Sequence, residues 1–211
     1  ISKKHINHVI YLAMIRLIFT FFIFIFIHKN VLCNANQEMV IKYLTNFDTL
    51  ESDFIQINND GETNTGKILI TRPGKIRIQY NENPLLIISD GKRLATINKS
   101  IQNITYYNLK DIPVSLLLYK NFEKEKILIK ETKEYENLIK ITLLNTQVDN
   151  NNFVEIVFEK KPFLMKKWTV FQDKFNKTEV LLNNLKINRK ILSKNFDIDI
   201  EDPRPKVLRN F

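Results

Sequence analysis

The stretch Thr65–Tyr80 constrains the fold more than any other in the chain. Side chains of a β-strand alternate between its two faces. Ile68, Ile70 and Arg72 therefore share one face of a first strand, and Ile76, Ile78 and Tyr80 share one face of a second, with Lys75, Arg77 and Gln79 opposite. Between the strands Pro73 fixes φ and Gly74 accepts φ > 0, so Arg72-Pro73-Gly74 is a reversal point. The result is a hairpin with one apolar face that must be covered. Arg72 stands at the end of that face. Two readings fit it: a strand end whose guanidinium meets solvent, or a cation at the rim of an apolar surface, available to fasten something over it.

The same rhythm runs through most of the sequence. Ser52–Ile57 reads as a strand before the hairpin, and Leu85–Ile88, Arg93–Ile97 and Asn103–Tyr107 as strands after it. Lys126–Lys130, Leu138–Leu144, Val154–Phe158, the alternating residues around Trp168 and Thr178–Ile187 continue the series, and Phe196–Ile200 reads as a short edge strand. The four glycines, 61, 66, 74 and 91, all fall in or beside turns. About eleven strands at a spacing of roughly 10–12 residues predict a mainly β domain, an antiparallel barrel or sandwich. One helix precedes the series and another interrupts it. Met39, Val40, Leu44, Phe47 and Leu50 recur at helical spacing and predict a helix over 36–50. Pro113 can open a short helix near residues 113–121, where Val114–Tyr119 is apolar on most of its faces. That segment is either a buried connector or a lid over an open interior.

The N-terminus has a different character. Lys3, Lys4 and Arg16 precede the apolar run Leu17–Ile27, which falls short of the roughly 20 residues a bilayer crossing needs. Cys33-Asn34-Ala35 follows as a small-x-small pattern. A basic start, a short apolar run and such a site predict a secretory signal over 1–35 and a single domain over 36–211. Leu32 occupies the position where lipidation at Cys33 would require a small residue.

That division limits the chemistry. His5, His8, His28 and Cys33, all the histidine and cysteine in the sequence, lie in the leader. A chain starting near Asn36 has no Cys or His nucleophile, no Cys/His metal site and no disulfide. Acid–base work would fall to Asp, Glu, Lys or Tyr, and neither a Gly-x-Ser-x-Gly nor a paired acidic motif is present. The expectation is a protein that is not an enzyme, with no cofactor and no metal. Removing Lys3, Lys4, Arg16 and Lys29 lowers the net charge of +9 by four. The remaining charges are interspersed, without the basic stripe that nucleic-acid binding requires.

The order of these features resembles the LolA-type periplasmic outer-membrane lipoprotein carriers. The features are the N-terminal helix before Phe54-Ile55-Gln56, the strand from Gly66-Lys67 into Arg72-Pro73-Gly74-Lys75-Ile76, the run Leu86-Ile87-Ile88-Ser89-Asp90-Gly91-Lys92, then Tyr106-Tyr107 and the Pro113–Tyr119 helix. The resemblance spans most of residues 36–200 and is clearest from Gly66 to Leu118. It implies an incomplete antiparallel β-barrel under a helical lid, with an apolar cavity for lipoprotein acyl chains. It also implies that Arg72 latches the lid through backbone hydrogen bonds. The family's aromatic positions after that arginine fall on Ile76 and Ile78 here. The expected cavity residues are Phe54, Ile68, Ile70, Ile76, Ile78, Tyr80, Leu116, Leu117, Phe158 and Trp168; taken alone, these apolar faces also fit a filled core. The implied function is a monomeric periplasmic shuttle from inner to outer membrane. Its implied partners are acyl chains, an inner-membrane lipoprotein-releasing ABC transporter complex and an outer-membrane acceptor. The alternative is a periplasmic lipid-binding or envelope-stress sensor module of the same barrel type.

Overall fold

The computed structural model describes residues 35–121, 127–146, 153–171 and 176–205. The signal expected over 1–35 lies almost wholly outside them. The chain divides into two compact units, Ile1–Ile41 and Lys42–Phe211. Of the first, the described part is residues 35–41, the opening of helix α1, which runs over 35–46.

The second unit is built on one antiparallel sheet. Its strands are β1 (Thr49–Ile57), β2 (Thr63–Thr71), β3 (Lys75–Tyr80), β4 (Leu85–Asp90), β5 (Leu94–Asn98), β6 (Asn103–Tyr107), β7 (Ile127–Glu134), β8 (Leu138–Asn145), β9 (Phe153–Lys160), β10 (Phe163–Phe171) and β11 (Lys177–Ile187). They lie in the order β6-β5-β4-β3-β2-β1-β11-β10-β9-β8-β7. Two meanders thus meet where β1 pairs with β11, and the sheet ends at β6 and β7 instead of closing on itself. The expected eleven-stranded incomplete barrel is the fold observed.

Register follows from side-chain alternation. Ile68 pairs with Ile78 and Ile70 with Ile76, so the apolar faces of β2 and β3 coincide. Gly66 sits opposite both Phe54 and Tyr80. A Cβ there would lie 2.2 Å from the Gln79 carbonyl oxygen and 2.7 Å from the Phe54 ring, so only glycine lets that ring lie across the strand. At the β2–β3 turn the Arg72–Pro73 peptide is cis and Gly74 has a φ of 77°.

β4 is apolar on both faces because both are covered. Ile87 points to the interior cavity, whereas Leu86 and Ile88 face outward into a cluster with Ala95, Ile97 and Ile198. Ile198 comes from the C-terminal segment, which differs from expectation. Residues 196–200 form no edge strand: Ser193–Phe196 is a 3-10 turn, η3, and Ile198–Glu201 a helical turn, α2. The Asp197 carboxylate accepts from the Asp199 and Ile200 amides, a local cap that competes successfully with strand pairing. Arg77 Nη1 donates to Glu201 Oε1 at 2.8 Å and Lys99 Nζ to Glu201 Oε2 at 2.7 Å, holding this segment across the outside of β3 to β5. The N-terminal helix is also shorter than expected. It ends at residue 46, and Leu50 belongs to β1, where it pairs with Ile70 and Ile187.

Candidate functional site

The interior face of the sheet is incompletely filled. A cavity of about 320 Å³ opens there, near the lower end of the range for ligand pockets of roughly 300–1,000 Å³. Phe54, Ile68, Ile76, Leu94, Trp168 and Val180 line it and are buried, whereas Ile78, Tyr80, Ile87 and Val170 are half-buried along its walls. Tyr107, 50% exposed, stands at the mouth. The connection after β6 supplies the cover. It consists of two 3-10 turns, η1 (Leu109–Asp111) and η2 (Pro113–Leu118), and turns Ile112 and Val114 toward the cavity.

The polar groups of the lining are few and neutral. The Tyr80 hydroxyl donates to Gln56 Oε1 at 2.8 Å, and its ring meets Phe54 edge-on with centroids 5.5 Å apart. Burial raises the Tyr80 pKa, partly offset by the bond to Gln56, so the phenol stays protonated at neutral pH. Thr96 and Thr178 complete the polar lining with Gln56. Such a surface can hold an apolar chain but offers no charged group to a reacting centre.

Arg72 is not a solvated strand end. It is 6% exposed, packed between the end of α1 and η2. Its Nε donates to the Leu117 carbonyl at 2.8 Å and its Nη1 to the Leu44 carbonyl, while the guanidinium carbon lies 3.5 Å from the Phe47 ring centroid. Among the described residues Nη2 has no partner. Burial lowers the Arg72 pKa to about 9, which leaves the group charged at neutral pH. The adjoining turn adds a second fastening: the Gly74 amide donates to the Leu118 carbonyl at 3.2 Å. Lys120 pairs with Asp48 just beyond η2.

Six of the ten expected cavity residues line the space: Phe54, Ile68, Ile76, Ile78, Tyr80 and Trp168. Ile70, Leu116, Leu117 and Phe158 do not, and each has a physical reason. Ile70 shares the face of Ile68 but lies one pleat nearer Arg72, where it is fully buried. Leu116 and Leu117 are buried where η2 packs on β9 and β10, so the cover meets the cavity through Ile112 and Val114 instead. Phe158 stacks on Phe163, with Tyr43 edge-on at 5.2 Å, in a solid aromatic cluster. Among the residues not anticipated, Val170 shares the face of Trp168 on β10 and Val180 pairs with Trp168, so strand periodicity could have found them. Ile87, in a strand apolar on both faces, carried no such signal. Among the described residues, no group of three or more His, Cys, Asp or Glu is placed to hold a metal ion, and no helix is long and apolar enough to cross a membrane.

Solved structures share this architecture. A candidate outer membrane lipoprotein-sorting protein domain from Vibrio parahaemolyticus superposes with a TM-score of 0.51 at 7% identity, covering 77% of this chain and 95% of its own. A DUF1329 family protein from Desulfovibrio piger gives 0.52 at 8% identity, covering 80% and 98%. A LolA superfamily protein from Nitrosomonas europaea gives 0.44 at 10% identity, covering 77% and 98%. For the two structures with TM-scores above 0.5 the likeness, at these identities, is one of fold. No curated protein sequence matches the chain. The family described as outer membrane lipoprotein carrier protein LolA, however, matches residues 45–199, the whole sheet and its cover, and the chain belongs to that family.

Proposed function

We propose that this protein carries the acyl chains of lipoproteins through the periplasm, from the inner membrane to the outer. The observation that supports this reading is an apolar cavity under a short cover that a buried cation bonds to at the Leu117 carbonyl. Each buried methylene is worth about 0.8 kcal/mol, so a few acyl chains offset their removal from a bilayer. The neutral lining suits that task, and no step of it needs a nucleophile. In this reading residues 1–35 direct export and are removed. An inner-membrane lipoprotein-releasing ABC transporter complex loads the carrier, and an outer-membrane acceptor unloads it.

The sequence contains one tryptophan, Trp168, and it lies in the cavity lining. Brominated palmitate bound in the cavity should therefore quench the whole tryptophan emission in a saturable way. Unquenched fluorescence at saturating ligand, with the sheet intact by circular dichroism, would refute acyl binding in this cavity.

A further inference from the structure

An open sheet has two edges, and here they are built differently. β7 carries Lys130, Glu131, Lys133 and Glu134, and its register with β8 breaks between Ile129 and Glu131. Charges and a bulge are the usual devices that keep an edge from pairing with another chain. β6 has neither. Asn103-Ile104-Thr105-Tyr106-Tyr107 contains no charge and no proline, and pairs with β5 in unbroken register. Among the described residues no strand lies on its other side. Tyr106 and Tyr107 are 43% and 50% exposed. Ile104 packs against the outer cluster under Ile198, whereas Tyr107 lines the cavity mouth.

We infer that the outer edge of β6, beside which no strand lies among the described residues, receives the cargo's own polypeptide, added as an extended strand. This rests on the carrier reading above. Acyl chains seated in the cavity leave their attached polypeptide at the mouth, beside Tyr107 and therefore beside this edge. Every second residue of β6 turns its backbone N–H and C=O outward, and those groups recognise any extended chain whatever its sequence. That suits a carrier whose cargoes share lipid and differ in protein. Tyr106 and Tyr107 offer aromatic surface to the two faces of the added strand. The mixed charges and bulge of β7 leave a single edge open to it.

The test compares two probes on the full protein: a dipalmitoylated cysteine, and the same molecule extended by a short uncharged peptide of Ser, Asn and Thr. Trp168 quenching gives affinity, and amide exchange reports on Asn103–Tyr107. The peptide-bearing probe should bind about tenfold tighter, the yield of a few backbone hydrogen bonds net of ordering. It should also slow exchange in β6, and N-methylating alternate peptide amides should abolish both effects. Equal affinities with unchanged β6 exchange would overturn the inference and leave acyl binding standing. If neither probe binds, the carrier reading falls and takes this one with it. Slowed β6 exchange that rises with protein concentration in the absence of lipid would mean that a second copy occupies the edge, which also overturns it.

Discussion

Replacing Arg72 by leucine tests whether the cation holds the cover or holds the fold. Two charge-assisted hydrogen bonds, to the Leu117 and Leu44 carbonyls, contribute about 1.5–3 kcal/mol each. The contact with the Phe47 ring adds about 2 kcal/mol when desolvated. The gross attraction is about 5–8 kcal/mol. Against it stands the loss of solvation that lowers the pKa from 12.5 to about 9, or about 5 kcal/mol at 1.36 per unit. The net is about 0–3 kcal/mol, small enough for a few entering methylenes to reverse. Arg72→Leu should therefore lower Tm by no more than about 12 °C, at roughly 2–4 °C per kcal/mol for a domain of this size. It should speed amide exchange across Pro113–Leu118 while leaving β2 and β3 unchanged, and shorten the retention of a bound acyl chain. Lysine should restore little, since one ammonium cannot reproduce the guanidinium fork that reaches two carbonyls on separate elements. Exchange and transfer assays on the same samples decide the matter. Unaltered exchange in η2 with wild-type retention would show that Arg72 fastens nothing. A loss of stability well above 5 kcal/mol would show that it is a fold determinant and no latch.

Three other outcomes are expected. Gly66→Ala should destabilise by about 1–3 kcal/mol in urea unfolding, because its methyl would meet the Gln79 backbone oxygen, which cannot yield, as well as the Phe54 ring. Ile78→Glu should keep native strand content by circular dichroism yet lose quenching of Trp168 by brominated palmitate. Ile78 borders open space, and global unfolding by this change would instead mean a filled core. Acid should loosen the C-terminal segment before the sheet. Burial alone would raise the Glu201 pKa, but the hydrogen bonds from Lys99 and Arg77 outweigh it and hold the carboxyl below its ordinary 4.5. Its folded pKa is the lower one, so its contribution is present above the ordinary value and is lost as pH falls through the depressed one. Exchange at Ser193–Glu201 should accelerate in that window, and Glu201→Gln should give the loosened state already at neutral pH.

Local periodicity determined much of this protein. Strand alternation and turn residues located the strands, because a period of two and a chain reversal are properties of neighbouring residues. Arg72, at the end of an apolar face beside Pro73-Gly74, stood out by its residue type. Its hydrogen-bond partners are the backbone carbonyls of Leu44 and Leu117, and no side-chain type announces a carbonyl. Nor could alternation separate Ile68 from Ile70, which share a face: one borders the cavity and the other is fully buried, according to what packs above each. Phe158 was right in face and wrong in neighbourhood, since Tyr43 and Phe163 reach it from elsewhere in the chain. The C-terminal segment shows the same limit in reverse. Ile198 and Ile200 alternate like a strand, yet the Asp197 cap and the packing of Ile198 on the outer apolar face of Leu86 and Ile88 made it a helical clasp. Faces are decided between adjacent residues. Whether a face is filled, covered or left open depends on contacts across more than a hundred residues of sequence, such as Arg77 with Glu201, 124 positions apart, and only the folded sheet brings those together.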